Sequence, residues 1–221
     1  MVQQSVLVTG GTTGIGKAIA ENLRGAGWRV FATSHRAGSG AGFIGDLTRL
    51  DEADRLLAWL EVACGGAVPN ALVNNAALFT GAEAAIANLN FELPRRLMRW
   101  FAEAVKVEGA VVNLLDSDVL GNGVPEGVSL AYVQSKRKLL EETRRAAAAY
   151  APRLRVNAVA PGAISLPAGI HVKAGPRVLR SRPTCADVAE AVRYLLTAKS
   201  VTGVVLPVDG GRHLLGRDFL E

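Results

Sequence analysis

The sequence is poor in cysteine, in charged residues and in long apolar stretches. Among its 221 residues are two cysteines, Cys64 and Cys185, whose separation matches no metal-binding pattern. Two such thiols indicate a reduced, cytoplasmic protein without a metal, and packing in the core is their simplest role. No apolar run is long enough to cross a bilayer, and no basic segment followed by an apolar stretch opens the chain. We therefore expect no membrane contact and no secretory leader.

The composition is that of a folded domain with a basic surface. Charged residues make up 20% of the chain and hydrophobic residues 49%, which excludes a disordered chain and provides for a large core. The net charge of +5 suits nucleic acid, but it also suits a phosphate-rich cofactor or an anionic substrate. No nucleic-acid reading motif accompanies the charge. We expect a small-molecule partner rather than nucleic acid.

Short apolar runs alternate with amphipathic stretches from start to finish, without a linker or a repeat. This alternation predicts one α/β domain over residues 1–221, a Rossmann-type, doubly wound and largely parallel sheet with helices on both faces. The predicted strands cover residues 6–8, 30–32, 71–73, 111–115, 156–159 and 204–208, with a further short strand ending at 46–47. The predicted helices cover about 15–23, 51–62, 83–107, 129–150 and 184–196. Pro94 should bend or split the third helix.

A glycine-rich turn follows the first predicted strand and opens the first helix. Glycines let a backbone approach a pyrophosphate, and a helix N-terminus offers free N–H donors to its charge. The turn indicates a dinucleotide site, and it contains Gly10, Thr12, Thr13, Gly14, Ile15 and Gly16.

Tyr132 and Lys136 lie four residues apart on the fourth predicted helix, so their side chains share one face. A free phenol has a pKa of about 10, too high for proton transfer near neutrality. A neighbouring ammonium favours the phenolate and should lower the pKa of Tyr132. Together with the glycine-rich turn, the pair indicates hydride transfer coupled to a proton donor.

These features resemble the short-chain dehydrogenase/reductase family over nearly the whole chain. The Gly-x-x-x-Gly-x-Gly spacing and the turn Asn74-Asn75-Ala76-Ala77 are similar to the motifs of that family. The resemblance implies that Tyr132, Lys136 and Asn88 are catalytic, with Asn88 holding a water or the backbone behind Lys136. It also implies further cofactor contacts at Asp46, Leu47, Asn75, Ala76, Pro161, Gly162 and Ile164.

The end of the second strand indicates which nicotinamide cofactor fits. An acidic residue there would bond the ribose hydroxyls and repel a 2′-phosphate. This chain has Ser34-His35-Arg36 instead, and a guanidinium beside an imidazole favours NADPH/NADP. The alternative is that Arg36 is only a solvated loop charge.

The fifth strand departs from the family pattern. Where the family places a serine, three residues after Asn113, this chain has Asp116. An aspartate there resembles the pteridine reductases and dihydromonapterin reductases, in which a carboxylate assists proton delivery or binds a pterin. The alternative is a shifted register with Ser117 as the family serine, since the loop before Tyr132 is three residues longer than usual.

Substrate contacts are expected at Phe79 and Ser165. Phe79 lies where pterin reducers carry an aromatic ring that stacks on a flat heterocycle, although ordinary core packing would also explain it. Gly14 stands where several pteridine reductases have a substrate-facing arginine, so the polar edge of a pterin would need other partners. The proline-rich segment 161–183 is either a lid or a passive surface loop.

The leading hypothesis is an NADPH-dependent reductase of a dihydropterin, namely dihydromonapterin, dihydrobiopterin or dihydrofolate. The alternative within the family is a carbonyl reductase or alcohol dehydrogenase. A non-catalytic dinucleotide sensor is a third hypothesis, although it would not need Tyr132 or Lys136. The resemblance also implies a homo-oligomer, a dimer or tetramer, that packs through the third and fourth helices.

Overall fold

The computed structural model describes residues 4–121, 127–164 and 177–215, and within them it contains one sheet of seven parallel strands. The strands are β1 Ser5–Val8, β2 Arg29–Ser34, β3 Phe43–Ile44, β4 Ala71–Asn74, β5 Gly109–Leu114, β6 Leu154–Pro161 and β7 Val205–Val208. They lie in the order β3-β2-β1-β4-β5-β6-β7, and every neighbouring pair is parallel. This is the predicted doubly wound Rossmann-type sheet.

Helices cover the sheet on both faces, which is why the strands are almost uniformly apolar. The helices are α1 Gly14–Gly25, α2 Asp51–Ala63, α3 Glu83–Ala87, α4 Leu93–Ala104, α5 Leu130–Ala149 and α6 Cys185–Thr197. On one face α1 and α6 pack on Val6 and Val8 of β1, while Leu7 faces α2, α4 and α5 on the other. Among the described residues, no helix is both long enough and apolar enough to pass through a bilayer.

The third predicted helix is interrupted, but not at Pro94. A single π-helical turn, Asn88–Glu92, separates α3 from α4. Pro94 lies in the first turn of α4, where a missing N–H removes no helical hydrogen bond. The wide turn just before Pro94 therefore replaces the bend that the sequence predicts at this residue.

Local hydrogen bonds fix where the last two helices begin. Ser129 caps α5 by accepting a hydrogen bond from the N–H of Tyr132, and Thr184 caps α6 in a reciprocal box with Asp187. The strand order reverses between β1 and β4, whose carboxyl ends open a crevice. Ligands of doubly wound sheets bind at such a switch point.

Candidate active site

The glycine-rich turn packs so tightly against itself that Gly16 admits no side chain. A Cβ on Gly16 would lie 2.1 Å from the carbonyl oxygen of Gly10, a distance that no real Cβ contact shows. Gly10 itself has φ of +64°, a left-handed backbone that glycine adopts without strain. The start of α1 is thereby pressed against the end of β1.

Asn75 ties this turn to the end of β4. Its side-chain amide donates to the carbonyl oxygens of Thr9 and Gly10, at 2.9 and 3.1 Å. The backbone N–H groups of Asn75 and Ala76 both donate to the Thr9 hydroxyl, each at 3.0 Å. Asn75 and Ala76, predicted as cofactor contacts, thus form the wall of the crevice at the switch point and hold the turn in shape.

The open side of the turn fits a pyrophosphate. Gly14 begins α1, has φ of +50°, and meets no described atom within 4 Å on its Cβ side. The hydroxyl of the N-cap residue Thr13 makes no capping bond to the described first turn. Amides of Gly14 and Ile15 are therefore placed as donors for an anion at the helix N-terminus.

A hydroxyl and guanidinium cluster lies at the end of β2. The Thr12 hydroxyl donates to that of Ser34 at 3.2 Å, and Ser34 in turn accepts the N–H of Arg36 at 3.1 Å. The Arg36 Nε lies 3.3 Å from Nε2 of His35, and both side chains are exposed. These donors suit a phosphate on a ribose that reaches this strand end.

Asp46 and Leu47 follow β3, next to the same strand end. Leu47 is buried in the core, whereas Asp46 is exposed. The Asp46 carboxylate accepts hydrogen bonds from the hydroxyl and the N–H of Thr48, which lower the pKa of Asp46 below its usual range. The carboxylate is thus tied to its own turn, and both residues border the region where an adenine would lie in the family.

Tyr132 and Asp116 meet directly. The Tyr132 hydroxyl donates to Oδ2 of Asp116 at 3.0 Å, and the tyrosine side chain is buried. Ser117, the alternative to Asp116, is also buried, but its hydroxyl has no hydrogen-bond partner in the described part of the chain. The register that places Asp116 beside the phenol is therefore the one that the structure adopts.

The pKa of Tyr132 moves opposite to the expectation from the sequence. Burial, followed by the negative charge of Asp116 and its hydrogen bond, raises the pKa of Tyr132 well above the usual value for a phenol. The sequence predicts a lowered pKa because of Lys136. The cause is that the phenol is buried and its hydroxyl contacts the carboxylate of Asp116, whereas Lys136 donates to the backbone of β5.

Lys136 is directed at the backbone of β5. Its Nζ donates to the carbonyl oxygen of Leu114 at 2.8 Å and lies 5.8 Å from the centroid of the Tyr132 ring. The side chain is 3% exposed, and burial lowers the pKa of Lys136 to about 8 although Asp116 opposes the shift. The buried Tyr132 and Lys136 and the partly buried Asp116 thus form one cluster at the carboxyl end of β5.

The structure corrects the assignment of Asn88. The Asn88 amide donates to the carbonyl oxygen of Thr48 at 3.1 Å, on the side of α2. Asn90 instead points into the site and is fully buried. The signal was available, because Asn90 lies at helical spacing from the buried Ile86, Leu93 and Leu97.

Asn90 joins the loop after β4 to α5. Its side-chain oxygen accepts the N–H of Leu78 at 2.8 Å, and its amide donates to the Leu78 carbonyl at 3.0 Å and to the Ser135 hydroxyl at 3.1 Å. Ser135 donates onward to the backbone carbonyl of Tyr132 at 2.7 Å. The asparagine therefore sets the distance between the β4 loop and the catalytic helix.

Phe79 lies beside the phenol. The two ring centroids of Phe79 and Tyr132 are 4.7 Å apart and the rings are tilted by 56°. With 39% of its surface exposed, Phe79 is not a core residue.

The end of β6 and the residues after it pack against the turn after β7. Pro161 and Ile164 are buried, and Gly162 packs so closely on Asp209 that a Cβ would lie 2.7 Å from that residue's Cβ. The predicted substrate residue Ser165 lies outside the described residues, as does most of the 161–183 segment.

Comparison with known proteins agrees with this geometry. A family model described as Enoyl-(Acyl carrier protein) reductase matches residues 10–213. Protein FixR of Bradyrhizobium diazoefficiens is 31% identical over 243 residues, which cover 95% of this chain and 86% of FixR. Dihydromonapterin reductase of Escherichia coli O6:K15:H31 is 39% identical, but over 92 residues that cover 38% of each chain.

Solved structures share the whole fold. FolM alternative dihydrofolate reductase 1 from Brucella canis, complexed with NADP, has a TM-score of 0.81 and 29% identity, covering 99% of this chain and 98% of that one. The ligand-free aldohexose dehydrogenase of Thermoplasma acidophilum has a TM-score of 0.84 and 26% identity, covering 99% and 96%. With the glycine-rich turn and the buried tyrosine and lysine, these matches show that the chain belongs to the short-chain dehydrogenase/reductase family of oxidoreductases.

Proposed function

We propose that this protein is an NADPH-dependent reductase that converts a dihydropterin to the tetrahydro form. The observation that carries the proposal is the 3.0 Å hydrogen bond from Tyr132 to Asp116, at the position where the family normally has a serine. A serine hydroxyl suits the oxygen of a ketone, because it donates to that oxygen. An aspartate carboxylate accepts instead, and a pterin ring presents N–H and amino donors.

The residues that would hold NADPH fit it. The amides of Gly14 and Ile15 would receive the pyrophosphate, and Arg36, His35 and the Ser34 hydroxyl would receive the 2′-phosphate. Bound NADPH would supply a hydride to a carbon of the C=N bond of the substrate. NADP in the FolM structure from Brucella canis supports this choice of cofactor.

The chain itself would supply the proton. Reduction of a C=N bond needs one proton at the ring nitrogen for each hydride at the carbon. Because its pKa is raised, Tyr132 keeps its proton throughout the neutral range and would be available as the proton donor. Asp116 orients this hydroxyl through Oδ2 and would accept from a donor of the heterocycle. Lys136 would stabilise the phenolate left after the transfer.

Phe79 supports a flat substrate. Its exposed ring lies 4.7 Å from Tyr132, so a heterocycle placed against Phe79 would also lie beside the phenol. Offset stacking of aromatic rings contributes about 0.5–1.5 kcal/mol beyond the area that it buries. A small aliphatic ketone would gain little from this surface.

A carbonyl reductase or alcohol dehydrogenase is the second candidate. The structural likeness to an aldohexose dehydrogenase, with a TM-score of 0.84, favours it. The dihydromonapterin reductase match, in contrast, covers 38% of the chain. The two candidates differ at Asp116, because a ketone enzyme should work as well or better with a serine there.

A substrate panel tests the proposal. The purified protein is assayed with NADPH and with NADH against dihydromonapterin, dihydrobiopterin, dihydrofolate and a set of ketones. We expect oxidation of NADPH with at least one dihydropterin. Asp116→Ser should lower that turnover roughly a hundredfold, and Asp116→Asn should do the same. Clear turnover of a ketone, unaffected by Asp116→Ser and without turnover of any dihydropterin, would reject the proposal.

A further inference from the structure

An ion pair connects the turn after β7 to the turn that carries the catalytic carboxylate. Nε of Arg212 lies 3.0 Å from Oδ1 of Asp118, and both side chains are about three-quarters buried. Arg212 begins the 3-10 turn Arg212–Leu214, and Asp118 belongs to the 3-10 turn Ser117–Leu120 that follows Asp116.

Asp118 in turn holds Asp116. The backbone N–H of Asp118 donates to Oδ1 of Asp116 at 3.0 Å, while Oδ2 of Asp116 accepts the Tyr132 hydroxyl at 3.0 Å. Both carboxylate oxygens are therefore engaged, and they fix the rotamer of Asp116. A continuous series of contacts runs from Arg212 through Asp118 and Asp116 to the phenol.

Arg212 also provides the charge that this cluster needs. Burial, and after it the negative charge of Asp116, raises the pKa of Asp118; Arg212 opposes both, and Asp209 adds to the rise. Three acidic side chains thus lie near one another at the carboxyl edge of the sheet. Removal of the guanidinium would leave Asp118 facing two carboxylates without its cation.

The turn that carries Arg212 is rigidly held. The buried carboxylate of Asp209 accepts the N–H groups of Gly211 at 2.9 Å and His213 at 2.7 Å, and also contacts Nδ1 of His213. A side chain on so fixed a turn can hold a partner to a defined position.

We propose that Arg212 is a positioning residue for Asp116 and acts through Asp118. This inference rests on the proposed function, in which Asp116 orients the proton donor. Arg212 holds the turn at Ser117–Leu120 in place, and this turn presents the N–H of Asp118 to the Asp116 carboxylate. The arginine therefore affects the catalytic step without touching the substrate.

The test compares the kinetics of Arg212→Met, Arg212→Lys, Asp118→Asn and the double variant that combines Arg212→Met with Asp118→Asn. We expect Arg212→Met and Asp118→Asn each to lower kcat roughly ten- to a hundredfold, with little change in KM for substrate or NADPH. Because both residues act through one series of contacts, the double variant should be no worse than the worse single variant. Arg212→Lys, which keeps the charge, should restore part of kcat.

The pH profile separates positioning from a merely structural role. Asp118 faces Asp116, Asp209 and Arg212, so loss of the guanidinium raises the pKa of Asp118 further. Protonation of Asp118 should lower kcat at acidic pH, and this fall in the pH profile is the acid limb. The acid limb should therefore move to higher pH in Arg212→Met and should disappear in Asp118→Asn. Arg99→Met is the matched control, because it breaks an Nε–carboxylate pair of 3.1 Å on the exposed face of α4 and should alter neither kcat nor the limb.

Hydrogen exchange provides a readout that needs no substrate. Arg212→Met should speed exchange of the Asp118 amide at least about tenfold while the amides of α5 stay protected. If no dihydropterin is turned over, the proposed function fails, and this measurement still decides the role of Arg212. Unchanged exchange, an unchanged acid limb, additive losses in the double variant, or a higher substrate KM at constant kcat would each overturn the inference.

Discussion

The hydroxyl of Tyr132 donates a hydrogen bond to the carboxylate of Asp116, whereas the ammonium of Lys136 donates to the carbonyl oxygen of Leu114. The hydrogen bond between Tyr132 and Asp116 is 3.0 Å long and partly buried. A negative charge at this distance opposes formation of a phenolate, so the tyrosine is held as an acid. The neutral phenol is the form that can give a proton to a bound substrate.

Replacement of Tyr132 by phenylalanine should lower kcat by roughly a hundred- to ten-thousandfold, the usual contribution of a positioned acid. Affinity for NADPH, followed by quenching of protein fluorescence, should stay within about twofold, since the ring is kept. Tyr194→Phe, on the exposed side of α6, is the control and should behave like the wild type. Wild-type turnover in Tyr132→Phe would reject Tyr132 as the proton donor, whereas NADPH binding without turnover in either protein would favour the dinucleotide sensor.

Lys136 should make the stability of the protein depend on pH in the alkaline range. Burial lowers the pKa of this lysine from 10.5 to about 8, so the unfolded chain binds its proton first as the pH falls. The free energy of unfolding of the wild type, relative to that of Lys136→Met, should therefore decrease as the pH falls from 10.5 to about 8 and stay level at lower pH. The full change is about 3 kcal/mol.

Urea unfolding of both proteins across this pH window measures the difference. The lost hydrogen bond to Leu114 shifts the two curves by a constant amount and leaves the pH dependence untouched. A stability difference that stays constant from pH 10.5 to 8 would contradict a buried lysine with a lowered pKa.

Two asparagines provide a matched pair. Asn90→Ala removes a fully buried amide and leaves the N–H and carbonyl groups of Leu78 without their partner, at a cost of about 3–5 kcal/mol in the free energy of unfolding. Asn88→Ala loses one bond to Thr48 at a half-buried site and should cost about 1 kcal/mol. Thermal and denaturant unfolding check both values. An equal loss of unfolding free energy in the two variants, or a larger loss in Asn88→Ala, would contradict the assignment of the structural role to Asn90.

Arg36 should determine the preference between the two nicotinamide cofactors. Arg36→Ala should raise KM for NADPH roughly ten- to a hundredfold and leave KM for NADH within about twofold, because the guanidinium would bond only the 2′-phosphate. Arg24→Ala, which removes an exposed charge from the last turn of α1, is the control. If KM for NADPH does not change, Arg36 is a solvated loop charge and the phosphate is held by other groups.

Much of the fold is predictable because its signals are local. The apolar runs of β1, β4 and β6, the glycine turn and the cap at Thr184 each depend on a few neighbouring residues. Continuous apolar runs are typical of strands that are covered on both faces, and such strands belong to parallel sheets. The sheet type can therefore be predicted without knowing which strands are neighbours. These are the features in which sequence and structure agree.

The features that the sequence does not reveal depend on long-range contacts or on helical phase. Burial, and after it the charge of Asp116 that the fold of β5 brings to the hydroxyl, raises the pKa of Tyr132, and Lys136 does not lower it. Arg212 meets Asp118 only because β7 ends beside the turn after β5. Helical spacing with Ile86, Leu93 and Leu97 favours Asn90 over Asn88, but no local pattern announces the π-helical turn that contains both asparagines.

That π-helical turn also sets the length of its segment. It holds one residue more than an α-helical turn, and each residue rotates a helix by about 100°. Deletion of one residue within Asn88–Glu92 would let α3 and α4 fuse into a regular helix. Either Asn90 would then swing away from Leu78, or the apolar side of α4 would turn to solvent. We expect this stretch to accept substitutions more readily than any change in residue number.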